Sequence, residues 1–101
     1  MLKTEINNTP AGTLIIINGR LDTANAADFE QEISVIRNND NPNLIIDCTG
    51  LTYISSTGLR SFLSLQKEVN SKKGQLRLRN MNEIIKEIFD MTGFTELFIF
   101  E

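Results

Sequence analysis

Three consecutive hydroxyl side chains, Ser55, Ser56 and Thr57, precede Gly58 at the point where an apolar helical pattern begins. Serine and threonine are favoured N-caps, because their side-chain oxygens accept hydrogen bonds from unpaired N–H groups of the first turn. The same place suits a phosphate, since a helix N-terminus carries a partial positive charge. A phosphate on Ser56 would add about −1.5 to −2 of charge at pH 7. The stretch is therefore compatible with a helix cap or with a reversible charge switch.

Other reactive side chains are scarce, because the sequence contains no histidine and a single cysteine, Cys48. The missing histidine removes the commonest general base, every catalytic triad that depends on histidine and any histidine phosphocarrier role. One cysteine without histidine also argues against a zinc site, and a Gly-x-Ser-x-Gly nucleophile turn is absent. We therefore expect no catalytic residues, no metal and no cofactor, in a protein that is not an enzyme.

The composition fits one compact domain over residues 1–101, with 41% hydrophobic and 23% charged residues. The formal net charge of −3 leaves no basic surface that would mark a nucleic-acid binder. Apolar runs such as Leu14 to Ile17 are too short to span a membrane. A single cysteine cannot form a disulfide within the chain, which fits a reducing compartment. We expect a cytoplasmic protein that neither binds nucleic acid nor spans a membrane.

The elements that must position the hydroxyls begin with a hairpin. Residues 2–8 and 13–18 flank a turn that Pro10 and Gly12 mark. Residues 13–17 are rich in β-branched side chains, which is typical of a central strand. A helix should follow, with Asn25 or Thr23 as its N-cap and the polar residues 38–42 as its end. Its apolar face recurs every three or four residues, at Ala26, Phe29, Ile33 and Ile36.

The next strand and helix flank the hydroxyls directly. The apolar run Leu44 to Ile46 is typical of a strand covered on both faces. We expect Asp47 at its carboxyl end, then a loop through Gly50 and Tyr53, and Cys48 as a small buried hydrophobe. In the second helix Lys72, Lys73 and Gly74 provide the end, with glycine as terminator. Its predicted apolar face consists of Leu59, Phe62, Leu63, Gln66 and Val69.

The last third of the chain predicts a strand, a helix and a strand. Residues 75–79 alternate, so Arg77 and Arg79 should face solvent and could protect a sheet edge. Asn80 and Glu83 form an approximate capping box, and Gly93 suits the helix end. The helix face would be Ile84, Ile85, Ile88 and Phe89, followed by a strand over residues 97–100. The order ββαβαβαβ predicts an α/β domain, a mixed sheet with helices mainly on one face.

In this arrangement Asp47 and the hydroxyls would share the carboxyl edge of the sheet, where functional groups collect in open α/β folds. Asp47 could contact a partner or phosphate there, or simply accept hydrogen bonds from backbone N–H groups of the following loop. Arg60, in the first turn of the second helix, could be a phosphate clamp or a solvated arginine.

The stretch "LIIDCTGLTYISSTGLRSFL" resembles the signature of STAS domains, the family of anti-sigma factor antagonists. That signature is an apolar strand ending in aspartate, a short loop, and Asp-Ser-Ser/Thr-Gly-Leu opening a helix. "GRLDTANAADFEQEI" resembles the family's Gly-x-Leu-Asp segment and first helix, and "EIFDMTGFTELFIF" its closing helix and strand. The resemblance covers nearly the whole chain in order.

This resemblance implies a small protein that binds an anti-sigma factor with serine kinase activity and frees a sigma factor. In the family the kinase phosphorylates the motif serine, which breaks the complex. The aligned acceptor is Ser56, with Thr57 as the nearest alternative. Lys67 is a further candidate on the contact surface. The resemblance together with the residues predicts these partner-binding positions: Asp22, Asp47, Ser55, Ser56, Thr57, Gly58 and Arg60.

The chain departs from the family pattern at Ser55, where antagonists usually carry aspartate beside the acceptor. A second hypothesis therefore stays open, in which the protein is a constitutive, non-phosphorylated STAS adaptor, for example in a lipid-trafficking transporter complex. In that case the hydroxyls would only cap the helix. Either protein would be a monomer or a weak dimer.

Overall fold

A computed structural model describes residues 2–34 and 43–101 of the chain. The predicted ββαβαβαβ order is confirmed, but a 3-10 turn at Thr95–Leu97 precedes the last strand, which begins at Ile99 and not at Leu97. The predicted helix residue Ile36 and the helix-ending residues 38–42 lie outside the described residues. The elements are β1 (Leu2–Thr9), β2 (Gly12–Leu21), α1 (Ala26–Ile33), β3 (Leu44–Ile54), α2 (Ser56–Ser71), β4 (Leu76–Arg79), α3 (Glu83–Thr92) and β5 (Ile99–Phe100).

The five strands form one mixed sheet in the order β1-β2-β3-β4-β5. The β1–β2 pair is the predicted antiparallel hairpin, and each later pair is parallel. Each parallel connection steps to the next strand in the same direction and carries one helix. Because such crossovers are right-handed, all three helices lie on the same face of the sheet. This confirms the predicted fold class.

The hairpin turn depends on a glycine. Gly12 has a φ of +147°, and a Cβ at this position would lie 2.7 Å from the backbone oxygen of Asn43. The turn is further closed by Thr9, whose hydroxyl donates a 2.7 Å hydrogen bond to the Gly12 carbonyl. A side chain at position 12 would therefore push the hairpin away from the start of β3.

The core lies between the sheet and the three helices. Phe62 of α2 stands at its centre, 6.1 Å from the Phe29 ring of α1 and 6.2 Å from the Phe89 ring of α3. Phe89 also meets Phe98 and Phe100 edge-to-face, at 5.6 and 5.5 Å. Such pairs contribute about 0.5–1.5 kcal/mol each beyond their burial. A continuous row of phenylalanine rings thus joins all three helices to the end of the chain.

Cys48 lies under this core on β3 and is fully buried, as predicted for a small hydrophobe. Burial and the neighbouring Asp47 charge raise the pKa of its thiol to about 12. The side chain therefore stays protonated, and it contributes packing rather than reactivity.

The ends of α2 and α3 correct two sequence predictions. At the end of α2 the left-handed residue is Lys73, with φ +64°, and not Gly74. The Gly74 N–H instead bonds the Val69 carbonyl at 2.9 Å, as in a Schellman motif. The start of α3 is capped by Asn82, whose side chain accepts from the Ile85 N–H at 2.9 Å, and not by Asn80. The left-handed residue Gly93 at the end of α3 is confirmed.

The buried faces of the helices follow the predictions, with exceptions in α2 and α3. Within α2, Leu65 is buried, whereas Leu63 and Gln66 are only partly so. Within α3, Ile84 is 72% exposed, while Ile85 is fully buried. Successive residues point about 100° apart around a helix. Because Ile85 points into the core, Ile84 points away from the sheet.

Candidate functional site

The route from β3 to α2 differs from the prediction. β3 does not end at Asp47 but continues to Ile54, so Gly50 and Tyr53 lie in a strand and not in a loop. Pairing with β4 stops at Asp47, whereas pairing with β2 continues to Leu21 opposite Ile54. The second half of β3 was missed because it lacks a continuous apolar run. Its backbone is held there by the long partner strand β2.

Asp47 is consequently not brought to the hydroxyls. It lies seven residues before Ile54, which at about 3.3 Å per strand residue is roughly 20 Å. It accepts hydrogen bonds from the Thr49 backbone N–H at 3.0 Å and hydroxyl at 2.6 Å. Burial works to raise the pKa of Asp47, but the hydrogen bonds from Thr49 and Asn80 and the Arg79 charge outweigh it, so the pKa is lowered. The observed role is the local backbone contact.

Two other predicted surface residues also belong to this side of the sheet. Arg77 and Arg79 are largely exposed, as predicted, but β4 is an interior strand, so they do not protect an edge. Both guanidinium groups contact the carboxylate of Glu101 at 3.3 Å. They form an ion-pair cluster remote from the start of α2.

Ser55 is the residue that caps α2. Its side-chain oxygen accepts from the Gly58 N–H at 3.1 Å, and its carbonyl accepts from the Leu59 N–H at 2.9 Å. Its own N–H donates to the Leu21 carbonyl at 2.9 Å, which ties the cap to the end of β2. Of the predicted roles for the three hydroxyls, the structure therefore shows the cap, at Ser55.

Ser56 is the first residue of α2 and is exposed. Its hydroxyl makes no hydrogen bond to any of the residues that the structure describes. The first turn of α2 contains no acidic residue, and the exposed Arg60 follows in the next turn. An anion at Ser56 would therefore meet the positive end of the helix dipole without a neighbouring carboxylate in that turn.

The loop after β2 contacts the start of α2 through Thr57, and Asp22 is held within this loop. The Thr57 hydroxyl lies 3.3 Å from the Thr23 hydroxyl, and Asp22 and Asn25 exchange two hydrogen bonds. The Asp22 N–H donates to Asn25 Oδ1 at 2.9 Å, and the Asn25 N–H donates to Asp22 Oδ1 at 3.1 Å. This reciprocal contact replaces a side-chain cap at Asn25, which makes none to α1. The sequence predicts Thr23 only as a possible helix cap, and its contact with Thr57 is seen only in the structure.

Gly58 allows α2 to approach the strand ends. The residue is buried, and a Cβ there would lie 2.9 Å from both Leu21 Cγ and Ile54 Cγ1. Each atom is two bonds from the Cα of a buried side chain, so it has little room to move aside. Gly58 contributes close packing to the site rather than a contact surface.

An arginine and an aromatic ring extend the exposed edge beyond the predicted residues. Arg20 and Tyr53 are directly paired across β2 and β3, and the guanidinium carbon lies 4.3 Å from the centre of the ring. A cation in this position is attracted by the ring face. Their pairing depends on the extended β3, so the sequence offered no signal for it.

The start of α2 thus presents the exposed Ser56, with Thr57 next to it in the chain and the exposed Arg60 in the following turn. The Thr57–Thr23 contact brings the loop that contains Asp22 to the same helix end. Across residues 2–34 and 43–101, no three His, Cys, Asp or Glu side chains gather in a way that could hold a metal ion. In the same part of the chain, no helix is long and apolar enough to cross a membrane. The arrangement can carry a modification and present a surface to a protein.

A family model described as STAS domain matches residues 2–101. The chain is 27% identical over 97 residues to BtrV of Bordetella bronchiseptica, which is assigned to the anti-sigma factor antagonists. The aligned part covers 96% of this chain and 84% of BtrV.

Solved structures with the same fold include two such antagonists. The structure of an anti-sigma factor antagonist from Mycobacterium paratuberculosis superimposes with a TM-score of 0.87 at 18% identity, over 99% of this chain and 85% of that one. The Bacillus cell fate determinant SpoIIAA in its phosphorylated form gives a TM-score of 0.74 at 18% identity, over 98% and 91% of the two chains. At these identities the likeness establishes the fold.

Proposed function

The chain belongs to the STAS domain family, and from that premise we propose that it is an anti-sigma factor antagonist controlled by phosphorylation of Ser56. Its partner would be an anti-sigma factor that is also a serine kinase, and its setting the cytoplasm. STAS anti-sigma factor antagonists are regulatory binding proteins and not enzymes. The observation that carries the proposal is the separation of roles at the start of α2: Ser55 caps the helix, which leaves the exposed Ser56 hydroxyl available.

Phosphorylation would use the Ser56 hydroxyl as the nucleophile. The kinase would transfer the terminal phosphoryl group of ATP to Ser56 Oγ, which loses its proton, and ADP would leave. The resulting phosphate would sit at the positive end of α2, where a negative charge stabilises a helix by about 0.3–1 kcal/mol. The fold would therefore tolerate the modification. Binding to the partner would be weakened, because the phosphate adds a charge of about −2 to the interface and is costly to desolvate.

Ser55 replaces the aspartate that the family usually has beside the acceptor. Aspartate and serine are about equally good N-caps, so Ser55 keeps the capping contact to the Gly58 N–H. What the replacement removes is a charge next to the acceptor. We therefore expect Ser55→Asp to fold normally and to be phosphorylated faster, if that charge helps to bind or orient the reacting groups.

The proposed contact surface comprises exposed and partly exposed residues at the start of α2 and in the loop after β2. Asp22, Thr57 and Arg60 belong to it by position, and Lys67 would extend it along α2 as an exposed residue. Asp47 is left out, because it lies roughly 20 Å along β3 from the end of the strand. Gly58 would contribute indirectly, by placing α2.

The test combines phosphate transfer with binding to the anti-sigma factor of the same host. Wild type, Ser56→Ala and Thr57→Ala are incubated with that kinase and ATP, and the intact masses are compared. We expect one phosphate on wild type and Thr57→Ala, and none on Ser56→Ala. Ser56→Asp should bind the anti-sigma factor at least roughly tenfold more weakly, because charges placed against an unsuited interface cost several kcal/mol.

Two results would overturn the proposal. If wild type acquires no phosphate and Ser56→Asp binds its partner unchanged, the hydroxyl has no switching role and the constitutive adaptor hypothesis is favoured. If phosphate appears on Ser56→Ala but not on Thr57→Ala, the acceptor is Thr57.

A further inference from the structure

The edge of the sheet formed by β1 has a side-chain pattern that is complementary to itself. β1 is the first strand in the sheet order and pairs on one side with β2. Its eight residues, Leu2–Thr9, hold an unbroken register along the whole hairpin. The other side of β1 has no partner strand among the described residues. A regular edge of this length is a template for pairing with another strand.

The backbone groups on the free side of β1 can be identified from β2. The Thr13 N–H donates to the Asn43 carbonyl at 3.0 Å, so Thr13 directs its backbone groups toward β3. Thr13 is opposite Asn8, and the two residues of such a pair direct their backbone groups away from each other. This direction alternates along a strand, so the residues of β1 that point their N–H and C=O groups outward are Leu2, Thr4, Ile6 and Asn8.

The side chains of β1 alternate as well. Leu2 and Ile6 are partly buried and pack against the core on the helix side of the sheet. Lys3 and Glu5 are exposed on the opposite face. The strand therefore offers an apolar row on one face and one cation and one anion, two residues apart, on the other.

We propose that two copies of the chain associate by antiparallel pairing of β1 with β1 about a two-fold axis at Thr4. Thr4 would face Thr4, Leu2 would face Ile6, and Lys3 would face Glu5 of the other copy. The Lys3–Glu5 pairs occupy non-hydrogen-bonded positions, where the side chains of antiparallel strands approach most closely. Symmetry gives two ion pairs and two apolar pairs per dimer, in one continuous ten-stranded sheet.

The charges select this register over its neighbours. Moving the axis to Glu5 would place the two Glu5 carboxylates opposite each other, which is destabilising. Moving it to Ile6 would set Lys3 against Thr9 and Glu5 against Asn7, without an ion pair. Only the axis at Thr4 joins opposite charges.

Thr4 itself supplies an independent observation. Its hydroxyl is a buried side-chain oxygen without a hydrogen-bond partner among residues 2–34 and 43–101. A buried hydroxyl without a partner is unfavourable. A rotation about the Cα–Cβ bond of Thr4 would turn this hydroxyl toward the edge, where at the proposed axis it would meet the same hydroxyl of the second copy. Threonine pairs across antiparallel strands hydrogen-bond to each other.

Charged residues on an edge strand can also prevent pairing with another chain. Exchanging the charges of Lys3 and Glu5 distinguishes residues that prevent pairing from residues that promote it. The full chain is studied by sedimentation velocity over a range of concentrations, as wild type, Lys3→Glu, Glu5→Lys and the double variant. Each single change replaces two attractive pairs by two repulsive ones, so we expect the dimer Kd to rise roughly tenfold or more. The double variant restores both ion pairs in exchanged positions and should dimerise about as well as wild type.

Lys72→Glu and Glu96→Lys serve as controls, because they make the same changes of net charge at exposed positions at the end of α2 and in the turn before β5. Circular dichroism confirms that each variant is folded. The proposal is overturned if wild type stays monomeric at millimolar concentration. It is also overturned if the single variants match their controls, or if the double variant is as weak as the single ones.

Discussion

Ser55 and Ser56 are adjacent and of the same type, but only Ser55 makes the capping hydrogen bond. The Ser55 side chain turns back to the Gly58 N–H because its backbone is still extended, with φ −89° and ψ 171°. Ser56 already belongs to the helix and is exposed. The extended residue before the helix thus provides the cap, and the first helical residue does not.

This difference predicts unequal losses of stability. Ser55→Ala should lower the free energy of unfolding by about 0.5–2 kcal/mol, because the Gly58 N–H loses its acceptor. Ser56→Ala should change it by less than about 0.5 kcal/mol, as is usual for exposed positions without contacts. Urea unfolding measures both, with Ser64→Ala as a control inside α2. Equal losses from the two serines would contradict the assignment of the cap.

Asp47 provides a prediction about pH. Its folded-state pKa lies below its ordinary value, so the ionised form stabilises the fold above the unfolded pKa of 3.8. That stability is lost as the pH falls through the lower folded pKa. Asp47→Asn should be less stable than wild type at pH 6, by about 0.5–1.5 kcal/mol for the weakened hydrogen bonds. The difference should shrink below pH 3.8.

Urea unfolding at pH 6 and pH 3 checks this, and Glu87→Gln, an exposed carboxylate of α3, is the matched control. A difference between Asp47→Asn and wild type that is the same at both pH values would show that the hydrogen bonds do not depend on the charge.

At the scale of elements, the length of β3 decides where the site lies. The sequence predicted both strands, the hydroxyl turn and the helix after it, because their patterns are local. It did not predict β3 beyond Asp47, since Thr49, Gly50 and Thr52 interrupt the apolar run. That half exists because β2 reaches far enough to pair with it. Which serine caps α2 depends on where this pairing ends, a contact between residues more than thirty positions apart.

Because α2 lies so close to these strand ends at Gly58, we expect a methyl group at this position to destabilise the fold strongly. Gly58→Ala should lower the free energy of unfolding by about 1–3 kcal/mol through overpacking against Leu21 and Ile54. Alanine normally favours a helix over glycine by about 1 kcal/mol, so the sign itself is diagnostic. Thermal unfolding and the backbone NMR shifts of residues 20–24 would report the change. A stabilised Gly58→Ala variant would show that α2 does not pack as closely as described.

At the scale of the molecule, the row of phenylalanine rings makes the three helices a single unit. Phe62 is fully buried and touches the rings of both neighbouring helices. Helices that share one central side chain lose their packing together. We therefore expect unfolding in one cooperative step.

Truncation at this position should be among the most damaging single changes. Phe62→Ala should lower the free energy of unfolding by about 3–5 kcal/mol, a large part of the 5–15 kcal/mol typical of a domain. Phe62→Leu fills more of the space and should cost less. Phe94→Ala, at a partly buried ring beside the same core, is the control. Calorimetry would measure all three, and a loss at Phe62 no greater than at Phe94 would contradict the central role of this ring.

The fully buried Cys48 makes the chain its own reporter of opening motions. It is the single thiol of the sequence, and below a pH of about 12 it stays protonated while the fold is closed. A disulfide reagent such as dithionitrobenzoate reacts with an accessible thiolate, so its colour develops only in molecules whose central strand has opened. The rate of colour formation, compared with that of the denatured chain, gives the fraction of time the sheet spends open. No substitution in the chain is needed for this measurement.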